Sequence, residues 1–156
     1  MNSDEVFSIL AKIDAKLFGK DAEIIENRAK RIDVPRSDLY EAERKLRELE
    51  KTRKICLAVE IFLAHDGLIS DAQIEALLRK ACSDYPIIPF ISRSSVDRYL
   101  KDESIIRIYG EKTYRFILEQ RLANLMAAKS KGGTAYAQNN DPIKDEIGRF
   151  QGSTRK

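Results

Sequence analysis

Eight side chains between residues 93 and 115 have the chemistry to hold a polyanion: Arg93, Ser94, Ser95, Arg98 and Lys101 on one short segment, Arg107, Lys112 and Arg115 on the next. Guanidinium and ammonium groups pair with phosphate oxygens, an arginine fork also matches the acceptor edge of guanine, and serine hydroxyls serve either surface. Other chemistries find less material. The single histidine, His65, precedes Asp66-Gly67, where a partial positive charge complements a helix end. Cys56 and Cys82 have no Cys-x-x-Cys partner and read as small core residues of a reducing compartment. The acid pairs Glu41/Glu43 and Asp102/Glu103 lie in charged surroundings with no sign of burial. Lys131-Gly132-Gly133-Thr134 lacks the glycine spacing and the preceding strand of a phosphate loop. No catalytic centre, metal site or cofactor is expected, and the chain reads as non-enzymatic.

Charge distribution supports the polyanion reading. The net charge is only +3, yet residues 105–131 carry six bases against two acids while the rest of the chain is nearly balanced. A surplus concentrated in this way attracts polyanions, although it also occurs on ordinary solvated faces. An apolar fraction of 43% in 156 residues is enough for one real core. The richest apolar stretch, 55–63, is interrupted by Glu60 and is too short to cross a bilayer. Met-Asn-Ser-Asp-Glu has neither the basic region nor the apolar core of a secretory signal, so a cytoplasmic location is expected.

The elements that must position these side chains follow from periodicity. Val6, Leu10, Ile13 and Leu17 mark an amphipathic helix over 4–18, with Ser3 as its cap and Gly19 as its stop. A second helix over 21–32, with Ile24, Ile25, Ala29 and Ile32 on one side, ends at Val34-Pro35. Residues 1–36 therefore form a helical hairpin that either packs on the main domain or makes a dimer contact. The longest helix opens at Ser37 or Asp38, is laced with i,i+4 charge pairs through Lys54, and turns densely apolar from Ile55. Leu68-Ile69 fits a very short strand, and Ser70 with Gln73 is a capping box that starts the next helix.

Pro86 and Pro89 then force a loop, in which Ile87, Ile88 and Phe90 either tuck over the core or offer a knob to a protein partner. Ser92 or Ser94 caps a helix through Lys101, with Val96, Tyr99 and Leu100 inward. Residues 105–109 and 112–117 flank Gly110-Glu111 and fit a β-hairpin with a type II′ turn, which sets Tyr109 against Lys112 and Arg107 against Tyr114. A last helix over 119–129 is anchored by Leu122, Leu125 and Met126, and 130–156 reads as a flexible polar tail.

This order of elements resembles the winged helix-turn-helix superfamily. The match is in the sequence of elements: the long helix ending at Asp66-Gly67, the helix capped by Ser70, the helix 92–101 and the hairpin 105–117. The resemblance implies a mainly α fold with a small β-hairpin, a winged-helix domain over 37–129 and an N-terminal helical extension. It also implies that Arg93, Ser94, Ser95 and Arg98 face bases and phosphates of double-stranded DNA, with Lys101 at the edge and Arg107, Lys112 and Arg115 on the wing. A homodimer would double the site, and a small transcriptional regulator or repressor is the use expected of so small a chain without a visible ligand domain. Winged helices also serve as protein-interaction adaptors or assembly subunits without DNA, and that reading stays open beside the first.

Overall fold

The computed structural model describes residues 1–31 and 35–135, with side chains up to residue 129. Every regular element described is a helix: α1 (Ser3–Leu17), α2 (Asp21–Lys30), α3 (Arg36–Ala64), α4 (Asp71–Asp84), α5 (Arg93–Leu100), α6 (Ser104–Tyr109) and α7 (Glu111–Ala135). By its internal contacts the chain divides into one unit over Met1–Leu118 and a second over Glu119–Lys156. Residues 136–156, most of the expected polar tail, lie outside the described residues, as does Ile32.

The second half of α3 is the axis of the first unit. Ile55, Cys56, Leu57, Ala58, Val59, Ile61 and Phe62 are all buried, and a helix apolar on every side must be surrounded by other elements. α1 and α4 pack on it and on each other, α2 covers its first half, and α5 packs on α3 and α4. Val6, Leu10 and Ile13 of α1, Ile74, Leu78 and Ala81 of α4, and Val96 and Leu100 of α5 join it in one core. α3 stops in a Schellman motif. His65 is the C-cap, Asp66 takes the left-handed conformation at φ 53°, and Gly67 donates to the Phe62 carbonyl at 2.9 Å.

Caps fix the helix starts. Asn2, rather than the expected Ser3, closes a capping box with Glu5, which frees the buried Ser3 to donate to Asp84 at the end of α4. Ser70 and Gln73 form the capping box foreseen for α4. Leu68-Ile69, expected as a short strand, is irregular. In the loop before α5, Ile88 and Ile91 are 1% exposed and pin the connection to the core, whereas Ile87 and Phe90 stay outside at 62% and 40%. Only Ile88 of the three loop residues tucks in as expected.

The largest correction concerns residues 104–117. No hairpin forms there. Ile105, Ile108 and Tyr109 stand at i, i+3 and i+4 and turn toward the core, as do Tyr114 and Ile117 in α7. Burial at helical spacing outweighs the strand preference of the β-branched isoleucines, which is strongly context-dependent. Gly110, at φ 96°, is a break between two helices and not the corner of a turn. Its amide donates to Ile106 at 2.9 Å and its carbonyl accepts from Tyr114 at 3.2 Å, so it ends α6 and starts α7. The expected wing, with Arg107, Lys112 and Arg115 on it, is thereby replaced by helix, and the winged-helix expectation reduces to a mainly helical fold.

One charged residue is structural. Arg53, expected in a solvated charge run, is 8% exposed. Its Nε and Nη2 donate to the two oxygens of Asp14 at 2.9 Å each and its Nη1 to Glu26 at 3.2 Å, so it joins α1 and α2 to α3. Burial by itself lowers the Arg53 pKa, but the hydrogen bonds from Asp14 and then Glu26 outweigh it and raise the pKa above its ordinary value. Removing one partner of such a pair leaves carboxylates stranded. Because Asp14 and Glu26 keep partial access to solvent, Arg53→Ala is expected to cost about 2–3 kcal/mol in urea unfolding, and Arg53→Lys to recover less than half of it.

Candidate nucleic-acid interface

α5 is short and sharply two-sided. Val96 and Leu100 are buried, and the pair fixes the helix by its inner face. Arg93, Ser94 and Arg98 are exposed, Ser95 is half-buried, and Lys101 follows as the exposed C-cap. Four of the five residues expected on this segment thus lie open to solvent, positioned by packing of the opposite side against α3 and α4. At its start the Ser92 hydroxyl bonds Ser95 at 2.9 Å and lies 3.3 Å from Ser94, leaving the first backbone amides of α5 without a side-chain cap.

The cations differ in readiness. Arg98 lies 5.1 Å from the Tyr99 ring centre and reaches Ser95 at 3.5 Å, contacts that orient its guanidinium without neutralising it. Lys101 pairs with Asp97 at 3.2 Å and Arg115 with Glu111 at 2.9 Å, both as exposed i,i+4 pairs that are readily exchanged for phosphate. Asp71, at the start of α4, and Asp97 border a shallow depression beside Arg93, so the α5 surface is mixed in sign at its beginning. Lys112 is exposed on the first turn of α7. Tyr114, two residues on, donates to the Lys101 carbonyl at 2.8 Å, so α5 and the start of α7 are neighbours.

Arg107 does not join them. It lies on α6 and lines a groove with Lys45, Lys51 and Ser104, bounded by α1, α2 and α3. The eight residues expected to act together therefore divide into a set on α5 and the start of α7 and one cation elsewhere. Sequence reasoning missed this because the hairpin placed Arg107 opposite Tyr114.

Two titratable side chains of the core are kept protonated by burial. Burial pushes the Cys56 thiol up to about 11. Burial, then the neighbouring Cys56 and Glu60, keep the Tyr109 phenol protonated, and it donates to Glu60 at 2.8 Å. His65 Nδ1 lies 2.8 Å from the Ile61 carbonyl one turn back, the helix-end position foreseen for it. No cluster of potential metal ligands occurs among the described residues, and no described helix is long and apolar enough to cross a membrane.

Comparison of the chain with protein-family models, with curated proteins and with solved structures finds no match to any of them.

Proposed function

We propose that this protein is a DNA-binding regulator that lays α5 in the major groove, without a wing. The observation that carries this reading is the division of α5: Val96 and Leu100 locked in the core, and Arg93, Ser94, Arg98 and Lys101 each open to solvent. A helix fixed by its inner face keeps its outer donors in one geometry, which is what reading base edges requires. Arg93 and Arg98 are the guanine readers. Lys101, Lys112 and Arg115 serve phosphates at the end of α5, so backbone contacts come from the start of α7 where the sequence suggested a hairpin. Binding rather than catalysis is the mode of action, and occupancy of a promoter in the cytoplasm, as a repressor acts, is the use proposed for it.

A homodimer belongs to this reading, because helix-turn-helix proteins commonly address paired half-sites about one turn apart. Val6, Leu10 and Ile13 of α1 are consumed in the core and leave that face no apolar stripe to share. Leu122, Leu125 and Met126 of α7, expected as inward anchors, are instead 58%, 54% and 61% exposed. Their i, i+3, i+4 spacing makes a stripe that a second copy of the same stripe can cover.

One observation favours a protein-binding alternative. Ile87 and Phe90 project from the loop before α5, and the Arg79 guanidinium lies 5.7 Å from the Phe90 ring centre. Exposed apolar side chains beside a cation suit a protein partner better than a phosphate backbone.

Two measurements separate these readings. In mobility shifts on duplex DNA across a salt series, Arg98→Ala and Arg93→Ala are each expected to weaken binding by on the order of 1–3 kcal/mol. Lys112→Ala is expected to reduce the slope of log affinity against log salt by about one unit. Absent binding, or binding indifferent to all three, overturns the DNA reading and leaves the loop as the working surface. In sedimentation equilibrium, Leu122→Asp with Leu125→Asp is expected to turn a dimer into a monomer with unchanged helix content. A wild-type monomer, or a dimer that survives both substitutions, removes α7 as the seam.

A further inference from the structure

The groove that takes Arg107 away from α5 has a volume of 520 Å³ and opens between the end of α1, α2, the middle of α3, and α6. This volume is in the usual range for small-molecule sites. Its apolar lining is Leu17, Phe18, Ile25, Leu49, Ile55 and Ile108, of which Leu49 and Ile55 are buried. Its charged side chains are three cations, Lys45, Lys51 and Arg107, and one acid. Glu48, the one acid on the lining, is paired with Arg44 at 2.9 Å, and Lys51 stands 3.7 Å from Asp102. Arg107 from α6 is in no ion pair among the described residues, and Lys45 from α3 has only the nearby Glu41 charge, whose pKa it helps to lower. The Ser104 hydroxyl is closed off from the groove and lies against the Asp102 carboxylate, whose pKa its hydrogen bond helps to lower.

We infer that this groove binds a small amphipathic anion, a carboxylate or phosphomonoester head on an apolar chain or ring. The head is held by Lys45 and Arg107, and the apolar body lies along Leu17, Phe18 and Ile108. The charge balance selects an anion and the walls select an apolar body. A nucleotide, with its polar sugar and several charges, would leave hydroxyls unpaired against those walls. The site is independent of the α5 surface, because neither Lys45 nor Arg107 belongs to it.

The test is isothermal titration calorimetry of the full chain with octanoate, octyl phosphate and, as the neutral probe, octanol. At least one anion is expected to bind as one molecule per chain and to bind about tenfold or more tightly than octanol. Octanoate alone assigns a carboxylate ligand, octyl phosphate alone a phosphomonoester, and either result upholds the site. Lys45→Gln and Arg107→Gln, both at solvent-exposed positions, are each expected to weaken that binding about tenfold with unchanged thermal unfolding. Failure of both anions to bind, octanol binding as tightly, or binding indifferent to both substitutions overturns the proposal.

Discussion

The stretch of α3 from Ile55 to Phe62 has no side that tolerates water, and this constrains everything else in the first unit. Each residue there except Glu60 is buried, and Glu60 is held by the Tyr109 hydroxyl. Such a segment is stable only when neighbours cover its entire circumference, at about 1.5–3 kcal/mol for each large side chain withdrawn from water. α1, α4, α5 and α6 are each short and each contribute an apolar stripe to that purpose. Their outward faces are a consequence: once Val96 and Leu100 are committed to α3, the angular position of Arg93, Arg98 and Lys101 is settled.

The same axis explains where charge is tolerated. Toward the exposed beginning of α3, Arg44 pairs with Glu41 and Glu48 at the surface, where such contacts contribute little. Nearer the core, Arg53 is admitted only with two carboxylates, one of them bidentate. α6 lies between these regimes. Its inner residue Ile105 joins the core, and Arg107 opens onto the groove beside the exposed half of α3. A two-strand hairpin at 105–117 would have left that groove without its α6 wall.

Much of the frame was legible in the sequence because its signals are local. The Ser70 capping box, the Asp66-Gly67 stop and the two-sided pattern of α5 depend on neighbours within one or two helical turns, and all three are as expected. Residues 104–117 were misread because two local signals agreed on the wrong answer: three isoleucines favour a strand, and Gly-Glu fits a type II′ turn. The spacing 105, 108, 109, 114, 117 carries the helical alternative, but it is decisive only once the core it faces exists. Arg53 left a trace as well, since it follows Leu49 by four and precedes Leu57 by four on the buried face of α3. The groove left none, because its lining is drawn from three separate stretches of the chain, 17–25, 45–55 and 104–108.

The outward face of α5 as the DNA-contacting surface is tested most directly by amide chemical-shift mapping, titrating the labelled protein with a duplex of about 20 base pairs. The account expects the shifted amides to concentrate at Arg93–Lys101, with a second group at Glu111–Arg115 and little change at Ile87–Phe90. Shifts centred on Ile87–Phe90, or no shifts at any duplex concentration, would contradict it.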